Sequence, residues 1–338
     1  LFSAKGGVVQ RRDFIRLMGC AAAAAFARPL AAAAQPAAKV YRVGSLSPAA
    51  PFAPDNFFGK AMIGGFAKHG YAVGRNIEFE FRGTRGHNEN LPRVAQELVD
   101  AKVDVIFATG YPAAVAAKLS GLPTVITHAA GDPVATGLIA SLARPGGNVT
   151  GISDNATELS AKRLQLLKEI APGVRRVAML WNKDDLGMTL RYQAAAKAAE
   201  ALGVAVQPLG VREPDDFEEA FAAMNRSMPD AIMMVADSLT ILNRNRVFAF
   251  AGAQKLPAIY EYEYFARDGG LMTYGPDLGE CFVRATALGD RILKGAKPAD
   301  LPFEQPTRYN FLVNLKTAKA MGLDVPANVL ARADEVIE

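Results

Sequence analysis

Val103-Asp104-Val105-Ile106-Phe107-Ala108-Thr109-Gly110-Tyr111-Pro112 decides how this chain is read. Val103 to Ala108 is a short, β-branched apolar run of the kind that is buried on both faces of a parallel sheet, and the turn residues Thr109 to Pro112 end it. Before it lie a strand through Val40 to Leu46, a loop Ser47 to Pro54, a helix to Gly70, a strand Ile77 to Phe81 and a helix from about Leu91 to Ala101. After it come the strand Pro123 to Thr127, which ends in His128-Ala129-Ala130-Gly131-Asp132-Pro133, and a fifth strand, Val149 to Ser153. The pattern then restarts, with strands Val177 to Trp181, Val204 to Val211, Ala231 to Ala236, Ala258 to Tyr260, Gly270 to Tyr274 and Arg308 to Asn314, separated by helical periodicity. The predicted class is α/β, with two doubly wound, Rossmann-like lobes.

The chain has 338 residues, which favours two domains over one core. Its net charge of +4 suggests a nucleic-acid partner until the charges are located. Lys5, Arg11, Arg12, Arg16 and Arg28 face Asp13 alone in the first 34 residues, a surplus that accounts for the whole net charge and leaves the body neutral. No nucleic acid is expected as a partner. Arg11-Arg12, then Phe14, an uncharged stretch Leu17 to Ala27 and an alanine-rich exit to Ala34 form the parts of a twin-arginine export signal. The uncharged stretch is shorter than the ~20 residues that span a bilayer. Residues 1–38 are therefore expected to be an export signal and disordered start, and the body periplasmic. The alternative is a lipoprotein anchor, read from Leu17-Met18-Gly19-Cys20. The second cysteine, Cys281, at the start of a predicted helix, reads as a small buried hydrophobe.

No catalytic arrangement emerges. A Gly-x-Gly-x-x-Gly turn after a strand, a Walker loop, His-Glu-x-x-His, Gly-x-Ser-x-Gly and Cys-x-x-Cys are all missing, and His69, His87 and His128 lack metal-ligand spacing. Neither an enzymatic activity nor a metal or cofactor is expected.

Seven segments in order resemble the ABC-transporter substrate-binding protein family that includes tryptophan- and tyrosine-type (TrpX-like) members. They are Arg42 to Pro48, Gly131-Asp132-Pro133-Val134, Leu142 to Gly151, Glu158 to Leu164, Leu180-Trp181-Asn182, Leu271 to Pro276 and Asn314 to Lys319. The resemblance implies a type I periplasmic-binding-protein fold, with lobes of 39–153 plus 270–299 and 154–269 plus 300–338 joined by a hinge. It also implies a monomer that passes a small solute to a membrane permease. A ligand-sensing module for a receptor is the second reading, and an enzyme on the same scaffold the third.

Doubly wound sheets bind ligands at the carboxyl ends of their strands. The candidates there are Ser47, Thr109, Gly110, Tyr111, His128 and Asp132 in the first lobe. In the second they are Asn182, Asp237, Ser238, Glu261 and Tyr274. For a zwitterion, Ser47, Thr109 and the Gly110 amide suit the carboxylate, and Asp237, Glu261 or Asp132 the ammonium. Asp132 and Asp237 read equally well as helix caps. Tyr111 and His128 make the rim more aromatic, which suits an aromatic or apolar amino acid or carboxylate.

Overall fold

A computed structural model describes residues 39–153, 155 and 159–338. The export signal and Cys20 lie outside the described residues.

The first sheet holds β1 (Tyr41–Ser47), β2 (Ile77–Gly83), β3 (Val105–Ala108), β4 (Thr124–Ile126) and β5 (Val149–Gly151) in the order β2-β1-β3-β4-β5, all parallel. The second holds β6 (Arg176–Asn182), β7 (Ala205–Val211), β8 (Ala231–Met234), β9 (Ala258–Tyr260) and β10 (Met272–Pro276), which repeat that order as β7-β6-β8-β9-β10. Beyond β10, the sheet is extended by β11 (Tyr309–Asn314), antiparallel to β10, and β12 (Glu335–Ile337), parallel to β11.

Helices cover both faces of each sheet, as parallel strands with short crossovers require. In the first lobe, α1 (Phe57–Ala67) covers one face, and α2 (Leu91–Asp100) and α3 (Tyr111–Leu119) the other. In the second, α4 (Ser160–Ile170) and α5 (Leu186–Ala201) lie on one face, opposite α6 (Asp216–Arg226), α7 (Ser238–Leu242), α8 (Arg244–Ala253) and α9 (Glu263–Arg267). α10 (Leu278–Leu293) belongs to the first lobe, where Cys281, Phe282, Ala285 and Leu288 pack with Val43, Phe66 and Phe107. Cys281 is wholly buried there, as a small apolar residue is.

The return to the first lobe was expected at Gly270. Instead Met272–Pro276 pairs with β9 and β11, so the chain stays in the second sheet until Asp277, which caps α10 by accepting from the Glu280 N–H. The strand's apolar alternation was read correctly, but its sheet is set by pairing partners distant in sequence. Where the lobes join, Glu304 N–H donates to Gly151 O at 2.8 Å and Ser153 N–H to Glu304 O at 2.7 Å, so two of the crossing segments are bonded side by side.

Candidate functional site

Both sheets reverse strand order beside their first strand, between β1 and β3 and between β6 and β8. Such reversals open a crevice at the carboxyl ends of the strands. Residues that follow these strands and β4 line a cleft between the lobes. They are Ser47, Pro48, Ala49, Thr109, Gly110, Pro112 and His128 from the first lobe, and Asp185, Asp237, Ser238 and Ile241 from the second. An outer compartment of about 1230 Å³, open mouth included, continues from it between Phe52, Phe57 and Phe58 on one side and Leu242, Arg244 and Tyr264 on the other.

The first-lobe wall is hydroxyl and imidazole. Thr109 Oγ1 lies 2.7 Å from Thr127 Oγ1, which lies 3.0 Å from His128 Nδ1. The His128 ring stacks on Phe58 (5.6 Å between centroids, 17°) and meets Tyr262 of the second lobe edge-on. The Gly110 N–H donates to His128 O at 3.1 Å, so this amide, expected to receive a carboxylate, is already committed. Tyr111 starts α3 and packs at the lobe junction beside Gly187; burial and the charge of Asp185 raise its phenol.

The second-lobe wall is acidic. Asp237 caps α7 through the Thr240 N–H at 2.8 Å, and Asn182 Nδ2 donates to its other oxygen at 2.6 Å. Asn182 is therefore a support for Asp237 and is not itself among the cleft-lining residues. Asp185, which the sequence reading passed over, caps α5 through the Met188 N–H at 3.2 Å and lines the cleft beside Asp237. Burial and then the neighbouring Asp237 push its carboxyl up to about 7, against the pull of the Met188 amide and Arg191. Burial also raises Asp237.

The sign of the pH effect follows from that shift. Between about pH 4 and pH 7 the unfolded chain loses the Asp185 proton and the folded protein keeps it, so stability falls as pH rises through this window. Asp185→Asn abolishes this loss and keeps the cap, because Asn caps as well as Asp. The variant is expected to melt higher than the parent at pH 8 and level with it at pH 4, read by circular dichroism. An equal offset at both pH values would refute the assignment.

Three further candidates, Glu261, Asp132 and Tyr274, do not line the cleft either. Glu261 is 1% exposed and sits in the second-lobe interior, taking Arg163 Nη1 at 3.0 Å on one oxygen and Arg191 Nη1 at 2.8 Å on the other. Asp132 is a turn cap that accepts from the Val134 and Ala135 N–H groups at 2.9 Å. Tyr274 stacks beside Tyr309 near the crossovers, and its carbonyl receives Arg163 Nε at 2.7 Å.

The lobes stand closed on the cleft. Phe58 meets Tyr264 edge-on at 6.4 Å across it, and a Cβ placed on Gly131 would lie 2.7 Å from Gly187 Cα of the other lobe. Two doubly wound lobes, three crossing segments and a cleft at the strand ends define the type I periplasmic-binding-protein fold. The family model described as ABC transporter substrate binding protein matches residues 58–337, and the chain belongs to that family. A tyrosine-binding protein of Clostridioides difficile (strain R20291) is 26% identical over 266 residues, covering 78% of this chain and 76% of its own.

Among solved structures, an ABC domain from Streptococcus pneumonia in complex with L-Trp is similar at a TM-score of 0.80 and 25% identity. The match covers 88% of this chain and all of that one. A conserved domain protein from Vibrio cholerae reaches 0.82 at 24% identity, again over 88% of this chain and all of that one. A ligand-free, open substrate binding protein from Clostridium difficile reaches only 0.63, at 24% identity and covering 88% of this chain and 99% of its own.

Proposed function

We propose that this protein is a periplasmic receptor that captures an aromatic or apolar amino acid or carboxylate between its closing lobes and delivers it to the membrane permease of an ABC importer. The carrying observation is a cleft lined from both lobes by strand-end residues, with Ser47, Thr109, His128, Asp237 and Ser238 on its walls. The similarity to a tyrosine-binding protein and to a structure in complex with L-Trp supports the ligand class. Among the described residues no helix is long and apolar enough to cross a membrane. In this reading the twin-arginine segment exports a monomer, residues 40–153 with α10 form the first lobe, β6 to β12 form the core of the second, and the protein catalyses no reaction.

Gently purified protein is expected to release an amino acid or small acid detectable by mass spectrometry. In a thermal-shift panel, a true ligand at 100 times its dissociation constant stabilises the fold by about 2.7 kcal/mol, which raises the melting temperature by several degrees. Failure of every amino acid and aromatic acid to shift the melt, with nothing released, would overturn the proposal.

A further inference from the structure

Glu261 lies outside the cleft yet holds part of its wall. One carboxylate oxygen takes Arg163 Nη1 at 3.0 Å. The other takes Arg191 Nη1 at 2.8 Å and the Ala236 N–H at 3.2 Å. The next residue after Ala236 is Asp237, which caps α7 and lines the cleft. None of the three charged side chains is more than 1% exposed. Stability alone is a poor reason for such a group, because well-packed apolar side chains of the same volume often serve as well or better. What apolar packing does not supply is direction, and charge-assisted hydrogen bonds fix the geometry of the groups they join.

From this group a run of contacts leads to the crossing segments. Arg163 also donates through Nε to the carbonyl of Tyr274, in β10, at 2.7 Å. The Tyr274 ring stacks beside Tyr309 at 6.3 Å between centroids, and Tyr309 pairs with Pro276 at the end of β10. Tyr309 Oη receives Asn155 Nδ2 at 2.9 Å and donates to Pro306 O at 3.3 Å. Asn155 belongs to the first crossing segment and Pro306 to the third, while β10 runs into the second at Asp277. All three segments therefore meet at the Tyr274–Tyr309 pair, and the Arg163 guanidinium joins that pair to Glu261.

We infer that Arg163 and Glu261, steadied by Arg191, are positioning residues for solute capture: they fasten the Ala236–Asp237 wall of the cleft to the crossing segments, so that the swing of the lobes and the placement of that wall are set together. The inference rests on the solute-capture reading and adds a route by which the crossing segments act on the solute. None of the three residues lines the cleft, so each acts through Ala236 and Asp237.

Amide hydrogen exchange on the whole chain, read by mass spectrometry, tests the link without any solute. Arg163→Lys keeps the charge but lacks the planar fork that reaches two partners at once. Tyr309→Phe removes only the hydroxyl that holds Asn155 and Pro306, and it serves should Arg163→Lys fail to fold. Exchange over Ala236–Thr240 is expected to quicken about 10-fold in Arg163→Lys and about 3-fold in Tyr309→Phe. In Glu261→Gln, where the Ala236 N–H has lost its charged acceptor, adding Tyr309→Phe should change that segment no further. A merely structural role would raise exchange only around the substituted side chain and lower the melting temperature with affinity unchanged. Calorimetry with L-tyrosine, L-tryptophan and L-leucine, on variants shown to be folded by circular dichroism, supplies the second readout. Whichever of these the parent binds most tightly is expected to bind Arg163→Lys about 10-fold more weakly. Unaltered exchange over Ala236–Thr240 in both variants, or unaltered affinity in Arg163→Lys, overturns the positioning role and leaves solute capture standing. A parent protein that binds none of the three overturns both.

Discussion

Glu261→Ala is expected to destabilise the second lobe by about 3–5 kcal/mol, because two buried guanidinium groups lose the carboxylate they share. Arg163 and Arg191 come from α4 and α5, and both are fully buried. Water cannot reach them to replace the lost partner. The Ala236 N–H, next to Asp237 in the cleft wall, also loses its acceptor at 3.2 Å. A loss of that size lowers the melting temperature by about 10 °C. Urea titration and scanning calorimetry at pH 7.5 measure it. Glu261→Gln keeps the shape and some of the hydrogen bonds but not the charge, so it should recover only part of the loss. A deficit under about 1 kcal/mol for Glu261→Ala would mean that the ion group contributes nothing beyond its size.

The second large effect concerns closure. Gly131→Ala is expected to hold the lobes apart and to weaken solute binding by about 10- to 100-fold while leaving each lobe folded. Gly131 has φ +71°, where a side chain adds about 1 kcal/mol of strain that both open and closed forms share. Its Cβ would also lie 2.7 Å from Gly187 Cα, and backbone cannot swing aside as a flexible side chain does. That clash exists only when the lobes meet. Small-angle scattering should therefore give a larger radius of gyration for the variant at a ligand concentration that compacts the parent. Equal radii and equal affinity would show that closure does not need the glycine contact.

Much of the fold was legible because parallel strands buried on both faces declare themselves as short β-branched runs, as at Val105–Ala108 and Ala231–Met234. The site was legible only in part. Strand ends led to Ser47, Thr109, His128 and Asp237, which line the cleft, since the switch-point crevice follows from strand order alone. They led also to Glu261, which does not line the cleft, because its two arginine partners lie about 70 and 98 residues away, on helices whose inward faces are set by packing. Asp185 was overlooked for the opposite reason. Lys183-Asp184-Asp185 reads as a polar turn, and only the register of the α5 cap turns Asp185 inward while Asp184 stays exposed. The aromatic outer wall was hidden likewise, since Phe58 and Tyr264 become neighbours only when the lobes come together.

The bonding of Gly151 and Ser153 to Glu304 carries a mechanical consequence. Two ribbons tied edge to edge behave as a single leaf spring, stiff against torsion and against sliding but compliant in one bending direction. The tie from Arg308 to Asp277, at 3.1 Å, joins the third crossing segment to the one that carries Glu304 and narrows the freedom further. The relative motion of the lobes is thereby reduced to nearly one degree of freedom. Each swing brings Gly131 back to Gly187 and Phe58 back to Tyr264 without a search over orientations.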